Sequence, residues 1–340
     1  MTGRHPLHTK GCDLLGCRYP ILQAGMGGVA RSGLAAAVSA AGGFGCLGMV
    51  REKPDLIAKE IAAVRAITDA PFGVNLIPSA TDPVLLAEEL AACFDADVST
   101  LMFFWDVLPE AVAKAKAAGC KVLYQVGSVA AAQAAVAAGA DAIIAQGVEA
   151  GGHVRGHVSS LVLLPQIVAA VDVPVFGSGG FATGRGLVAA LALGGAGIHC
   201  GTAFLATPES FAHDVHKRAV IAAEPDDTVL TDAYAINWPP DSPVRVLRSA
   251  ATEALGHNLF GHDPDRIPRE QIGEEEGRPI YLMSTDSPLR SMTGDLERMA
   301  QFAGQCVGLI DRITPAGEVV ANIMREAGRV LGDFGRPATR

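Results

Sequence analysis

Three features of this 340-residue chain predict a closed parallel (β/α)8 barrel, the TIM barrel. Between about residue 20 and residue 200, eight short apolar runs alternate with Ala-rich stretches of helical length, the order that a parallel sheet requires. Glycine closes the helical stretches at Ala41-Gly42-Gly43, Ala118-Gly119, Ala138-Gly139 and Leu193-Gly194-Gly195, as helix C-termini favour. The alternative, an open doubly wound sheet, needs a glycine fingerprint after the first strand and an acid closing the second. Gln23-Ala24-Gly25-Met26-Gly27-Gly28 lacks the G-x-G-x-x-G spacing, and nothing acidic ends Gly45–Leu47.

Taken in order, the expected strands are Ile21–Ala24, Gly45–Leu47, Phe72–Leu76, Val98–Met102, Val122–Gln125, Ala142–Ala145, Val175–Ser178 and Ile198–Cys200. Helices are expected near Ser32–Ala41, Asp55–Thr68, Pro83–Phe94, Leu108–Ala118, Ser128–Ala138, Ser160–Val171 and Thr183–Leu193. The character changes after residue 220. Eight of the 20 prolines lie between Glu224 and Arg290, beside Asp226-Asp227 and the run Glu274-Glu275-Glu276. Such a stretch reads as an excursion with little regular structure, a lid or an oligomer contact, and its charge run as a solvated face. Gly294–Arg312 and Ala316–Leu331 read as two closing helices. The expected division is a barrel over 15–220, with the excursion and closing helices of 221–340 packed on it and not an independent domain.

Composition excludes several classes of function. Hydrophobic residues make up 49% and charged residues 19%, a globular balance that leaves no room for disorder. Lys and Arg number 27 against 36 Asp and Glu, a net charge of −9 with no basic block, so nucleic acid is not an expected partner. The uncharged runs Ser32–Val50 and Gly186–Pro208 approach the length of a bilayer span but are broken by glycines, so they read as buried barrel elements. Arg4, Lys10, Asp13 and Arg18 interrupt the first twenty residues, no secretory signal is visible there, and the expected location is the cytoplasm. Seven scattered cysteines suggest no disulfide framework. Neither Cys12/Cys17 nor His213/His216 belongs to a usual ligand set, so no metal is expected.

Active sites of these barrels form from the loops at the C-terminal strand ends. Two of those loops, Gly177-Ser178-Gly179-Gly180 and Cys200-Gly201-Thr202, are adjacent, glycine-rich and helix-entering, which suits a phosphate. Tight-turn glycine is the bland alternative. Asn75 and Gln125 end their strands with uncharged donors and acceptors that suit the edge of a flat heterocycle such as a flavin ring. The sixth strand opens into Gln146-Gly147-Val148-Glu149-Ala150-Gly151-Gly152-His153. His153 is the obvious acid–base group there, unless it is a loop histidine without a chemical role. Arg155 and His157 divide evenly between facing a substrate and facing solvent. Glu149 reads as a brace for the loop, and Cys200 as a small buried hydrophobe. There is no G-x-S-x-G elbow and no Walker loop.

Several blocks resemble the nitronate monooxygenase family, formerly called 2-nitropropane dioxygenases. They are Pro20-Ile21-Leu22-Gln23-Ala24-Gly25-Met26, Ala41-Gly42-Gly43-Phe44-Gly45, Pro71-Phe72-Gly73-Val74-Asn75-Leu76, Ala138-Gly139-Ala140-Asp141-Ala142, Glu149-Ala150-Gly151-Gly152-His153, Pro174 to Gly180, and Gly201-Thr202-Ala203-Phe204-Leu205-Ala206-Thr207-Pro208-Glu209-Ser210. A weaker echo lies at Ala303-Gly304-Gln305. The resemblance implies an FMN-dependent barrel with His153 as catalytic base. It places FMN contacts at Gly25, Met26, Asn75, Gln125, Gly151, Gly179, Gly180, Gly201 and Thr202. The implied reaction oxidises an alkyl nitronate with O2 to a carbonyl compound and nitrite, and a homo-oligomer is compatible with it. Relatives sharing the E-A-G-G-H block are NAD(P)H-dependent FMN reductases acting on a quinone or an enoyl-acyl-carrier-protein, the alternative activity. The chain departs from several branches at Val154-Arg155-Gly156 and at Phe103-Phe104-Trp105. An aromatic wall there suits an alkyl chain, a quinone or a nicotinamide equally, or is simple core packing.

Overall fold

The computed structural model describes residues 6–334, so Arg4 and residues 335–340 of the expected C-terminal segment lie outside the described residues. The chain enters through α1 (Lys10–Leu15) and β1 (Ile21–Gln23), then α2 (Ser32–Ala40), β2 (Gly45–Gly48), α3 (Pro54–Ile67) and β3 (Phe72–Leu76). It continues through α4 (Pro83–Asp95), β4 (Thr100–Phe103), α5 (Pro109–Ala117), β5 (Lys121–Val126), α6 (Val129–Ala137) and β6 (Ala142–Gln146). The two-residue β7 (Gly152–His153) precedes α7 (Ser160–Ala170), β8 (Val175–Ser178), α8 (Gly184–Ala192) and β9 (Gly197–Cys200). Helix starts are locally specified: Pro54, Pro83 and Pro109 stand at first helical positions, and Asp82, Ser128 and Thr183 accept from backbone N–H groups as N-caps.

Eight strands form one parallel sheet in the order β1-β9-β8-β6-β5-β4-β3-β2. The seam between β1 and β2 is closed by Phe44 N–H donating to Ile21 O and Gln23 N–H donating to Phe44 O, both at 2.9 Å. The buried Gln23 amide reinforces it, accepting from Cys46 N–H at 3.0 Å and donating to Cys46 O at 3.1 Å. Strands covered on both faces read as near-continuous apolar runs, which is why all eight were legible. Inside the barrel, Leu22, Phe44, Met102, Leu123, Ile144 and Phe176 pack with Cys12 and Leu15 of α1. That cluster fills the N-terminal end of the barrel and leaves its C-terminal end for chemistry.

Beyond the barrel come α9 (Thr202–Leu205), α10 (Asp214–Ala222), β10 (Thr228–Thr231), β11 (Val244–Leu247) and α11 (Ala250–Glu253). Then follow β12 (Gln271–Glu275), β13 (Arg278–Tyr281), β14 (Met292–Gly294) and α12 (Ala316–Phe334). The excursion therefore corrects the expectation of little regular structure. It carries two three-stranded sheets, β10-β11-β7 and β13-β12-β14, the first completed by β7, a strand remote in sequence that no local pattern reveals. Glu276 (φ 49°) and Gly277 (φ 82°) make the tight turn between β12 and β13. The charge run is only partly a solvated face. Glu274 and Glu276 are exposed, but Glu275 binds Arg278 at 2.8 Å and accepts from Ser291 Oγ at 2.6 Å.

The expected helix over Gly294–Arg312 does not form; β14 and two short 3-10 turns, Leu296–Arg298 and Gln305–Leu309, stand there instead. Its backbone groups are taken by distant partners. Ala303 N–H donates to Arg245 O, Gly304 N–H to Thr202 Oγ1 and Gln305 N–H to Glu149 O, bonds that compete with an intrahelical ladder. The last helix does form, and Glu326 of α12 accepts from Gly184 N–H at the start of α8 at 2.8 Å. No helix among the described residues is long and apolar enough to cross a membrane.

Candidate active site

A cavity of about 1320 Å³ opens at the C-terminal end of the barrel. Every residue singled out for the cofactor or the chemistry lines it: Gly25, Met26, Asn75, Gln125, Gly151, His153, Gly179, Gly180, Gly201 and Thr202. Glycine is required where walls meet. A Cβ on Gly25 would lie 2.2 Å from Asn75 Cβ, and one on Gly151 would lie 2.4 Å from Gly304 N. Gly179 (φ 89°) and Gly180 (φ 83°) adopt a backbone that L side chains rarely take. Their N–H groups donate to no acceptor among the described residues, which leaves successive donors for an anion such as a phosphate. The Asn75 amide donates to Met102 O at 3.0 Å, which orients its oxygen, while the half-buried Gln125 side chain makes no hydrogen bond among the described residues.

His153 reaches the cavity on β7, the strand that pairs with β11, with His153 opposite Val244 and Gly152 opposite Arg245. The buried Arg245 guanidinium donates to Val148 O at 2.9 Å and to Thr228 Oγ1 at 3.3 Å, tying the glycine loop to the excursion. On the barrel side Gln146 donates to His153 O at 2.9 Å and accepts from Arg155 N–H at 3.1 Å. Glu149 braces the loop as expected, its carboxylate accepting from both N–H and Oγ of Ser160 at 3.0 Å at the start of α7. Three aromatic rings surround the imidazole. Trp238 stacks on it at 3.8 Å and 24°, Trp105 meets it edge-on at 5.8 Å, and Phe302 lies at 6.0 Å. Burial in this apolar shell, with the Arg51 charge nearby, pulls the imidazole pKa down to about 3, so the ring is neutral near pH 7. Its Nε2 is buried without a hydrogen-bond partner among the described residues.

Other candidates are placed differently. Arg155 is exposed, binds Asp106 at 2.6 Å and lies 5.0 Å over Trp105, while His157 is exposed and off the cavity. Phe103 and Phe104 line the cavity, whereas Trp105 backs His153. Cys200 is buried off the cavity, and burial pushes its thiol pKa up.

A family model described as nitronate monooxygenase matches residues 9–105 and 88–326. The chain belongs to the nitronate monooxygenase family. It is an oxidoreductase of that family. Over 94% of its length it is 38% identical to (3aS,4S,5R,7aS)-5-hydroxy-7a-methyl-1-oxo-octahydro-1H-indene-4-carboxyl-CoA dehydrogenase of Mycobacterium tuberculosis, covering 96% of that protein. A probable nitronate monooxygenase of Staphylococcus saprophyticus is 34% identical over 96% of this chain and 99% of its own length. Among solved structures, FabK from Thermotoga maritima superposes with a TM-score of 0.82 at 32% identity, over 96% of this chain and 98% of that one.

Within this nitronate monooxygenase family member, sequence reasoning missed four residues of the site. His199, at the end of β9, is buried, lines the cavity and lies 3.0 Å from Ser178 Oγ through Nδ1; burial lowers its pKa to about 4. A histidine in an otherwise apolar strand was its only signal. Trp238, Phe302 and Arg51 arrive from segments whose spacing to His153 carries no period. Trp238 is conspicuous only as one of two tryptophans in the chain.

Proposed function

We propose that this chain is an FMN-dependent oxidoreductase that oxidises alkyl nitronates with O2 to carbonyl compounds and nitrite, with His153 as the base. The observation that carries the proposal is the half-buried His153, its imidazole neutral and its buried Nε2 without a partner among the described residues, on a residue that lines a glycine-lined cavity. A neutral imidazole accepts a proton without first losing one, and the aromatic shell keeps water from competing for it.

The residues present fit FMN. The free N–H groups of Gly179 and Gly180 would take its phosphate, Gln125 and the Asn75 oxygen would meet polar ring atoms, and Gly25 and Gly151 keep those walls free of side chains. When bound, the flavin supplies the one-electron and two-electron chemistry that no protein side chain here provides. The chain's own part is to hold the substrate beside His153, exclude water and move the proton at Nε2.

A second reading is oxidation of the carbon next to an acyl thioester, and the cavity of about 1320 Å³ has room for FMN and a further ligand. Its lining includes Arg31, Lys53 and Arg290 interspersed with carboxylates such as Glu52, Asp55 and Asp286. The relative at 38% identity acts on a carboxyl-CoA compound.

Aerobic turnover of FMN-loaded protein with propyl nitronate, followed by O2 uptake and nitrite, tests the first reading. The expected result is nitrite release with no requirement for NADH or NADPH. Replacing His153→Asn is expected to cut turnover of neutral 1-nitropropane, whose α-carbon proton the base must take, by about 10²- to 10⁴-fold while FMN stays bound, the scale of lost general-base catalysis. Full turnover of the neutral nitroalkane in that variant rejects the role of His153.

A further inference from the structure

We propose that Trp238, fastened by Arg51 over the imidazole of His153, is a substrate-binding residue whose indole N–H donates to the anionic oxygen of the carbon acid that His153 serves. The inference rests on the role of His153 proposed above and adds the oxygen-binding partner.

Two orphaned nitrogens belong to stacked rings. Trp238 Nε1 and His153 Nε2 are both buried without a hydrogen-bond partner among the described residues, and both residues line the cavity. Their rings are stacked at 3.8 Å. A buried indole N–H ordinarily finds an acceptor, and leaving one unmade costs about 1–3 kcal/mol. A small turn of the stacked rings toward the cavity would let one ligand oxygen relieve the indole next to the group that moves the proton. Nitronates and enolates share that chemistry, each the planar conjugate base of a carbon acid with its negative charge on oxygen.

The indole is also held in place at a cost. Arg51 follows β2 with a left-handed backbone, φ 58°, and Asn237, the residue before Trp238, has φ 70°. Strain of this kind persists only where the surroundings over-determine it, and it gathers at functional sites. Arg51 Nε donates to Ala80 O at 2.8 Å, its Nη1 donates to Asn237 O, and the guanidinium lies 4.5 Å over the Trp238 ring. One side chain thus ties the loops after β2 and β3 to the excursion loop that carries Trp238. Its positive charge sits on the indole and favours an anion nearby. Arg51 is a positioning residue. The other charges around this stack are Glu89, which is buried near the backbone of Arg51 and Glu52, and the Asp106–Arg155 pair beyond Trp105.

Trp238→Phe tests the proposal in the FMN-loaded enzyme, because it keeps an aromatic ring on His153 and removes the donor. The expected loss in kcat/KM is about 10- to 100-fold, the range of a hydrogen bond to a charged group. The substrate decides where the loss falls. With propyl nitronate the oxygen is negative from the start, so KM rises and kcat holds; with an acyl thioester the charge develops during reaction, so kcat falls. A second measurement needs no substitution at Trp238. Nitrogen-resolved NMR of the FMN-loaded protein shows two indole signals, distinguished by Trp105→Phe, and the Trp238 signal is expected to move downfield as butyrate, a planar two-oxygen anion, is added at inhibitory concentrations. An unchanged kcat/KM in Trp238→Phe, or a Trp238 signal that stays put while butyrate inhibits, overturns the proposal. Inactive His153→Asn beside unaffected Trp238→Phe removes this inference alone. Active His153→Asn beside a Trp238→Phe defect removes the base assignment and leaves the indole contact standing.

Discussion

The two halves of the cavity are built by different means. The barrel side is a backbone surface: Gly25, Gly179, Gly180 and Gly201 present main chain to the cavity, with Asn75 and Gln125 as neutral side chains. The excursion side is a side-chain surface, where Arg245 anchors the glycine loop, Phe302 and Trp238 flank His153, and Gly304 seats against Gly151. The first arrangement suits a cofactor bound in one fixed pose. The second can change by substitution without disturbing the first. On the function proposed above, cofactor choice would lie in the barrel and substrate choice in the excursion.

The largest effect that breaks this division is expected at the join. In Gly151→Ala the new methyl would lie 2.4 Å from Gly304 N and 2.5 Å from Ala303 C, with backbone on both sides and nothing flexible to yield. We expect a loss of about 1–3 kcal/mol in urea unfolding, together with loss of turnover as β7 separates from the excursion. A variant with unchanged stability and activity would show that the two halves need not meet closely.

Acid exposes the same join more gradually. His153, His199 and His216 are buried neutral, with pKa values lowered to about 3, 4 and 4 chiefly by burial. As pH falls below the ordinary histidine value of about 6.5, the unfolded chain takes up protons that the folded protein refuses. Their stabilising effect is complete above that pH and is lost as pH falls through about 4 to 3. Each histidine contributes a slope of up to about 1.4 kcal/mol per pH unit in that window. Thermal melts from pH 7 to pH 4 should show Tm falling steeply, and less steeply in His153→Asn. A flat Tm over that range contradicts the buried neutral imidazoles.

The smallest effect sharpens the contrast. A Cβ on Gly201 would meet only Met26 Sδ at 3.6 Å and Ala24 Cβ at 3.7 Å, ordinary contact distances. Gly201→Ala should therefore leave stability within about 0.5 kcal/mol of the parent, as substitutions without steric conflict do. If the cofactor approaches that backbone, FMN affinity weakens by about 10-fold, roughly 1.4 kcal/mol. Equilibrium dialysis against FMN separates the two quantities, and unchanged affinity would move the cofactor away from Gly201.

This division also explains what could be read in the chain. The barrel strands announce themselves because burial on both faces demands continuous apolar runs, and the helix starts because Asp82, Ser128 and Thr183 are good caps. The glycine loops were legible because backbone surfaces require glycine locally. By contrast, β11 is recognisable only through its pairing with β10 and β7, and Trp238 only through a fold that brings residue 238 against residue 153. Gly294–Arg312 misled for the same reason. Its composition permits a helix, but Arg245, Thr202 and Glu149 offer its backbone better partners.

The most direct test of a flavin site served by His153 is the anaerobic absorbance spectrum of FMN-loaded protein mixed separately with propyl nitronate, NADH and NADPH. Reduction or semiquinone formation with the nitronate and with neither nicotinamide is the predicted result, with reduction by neutral 1-nitropropane slowed in His153→Asn. Rapid bleaching by a reduced nicotinamide with an inert nitronate, or protein that cannot be loaded with flavin at all, would contradict it.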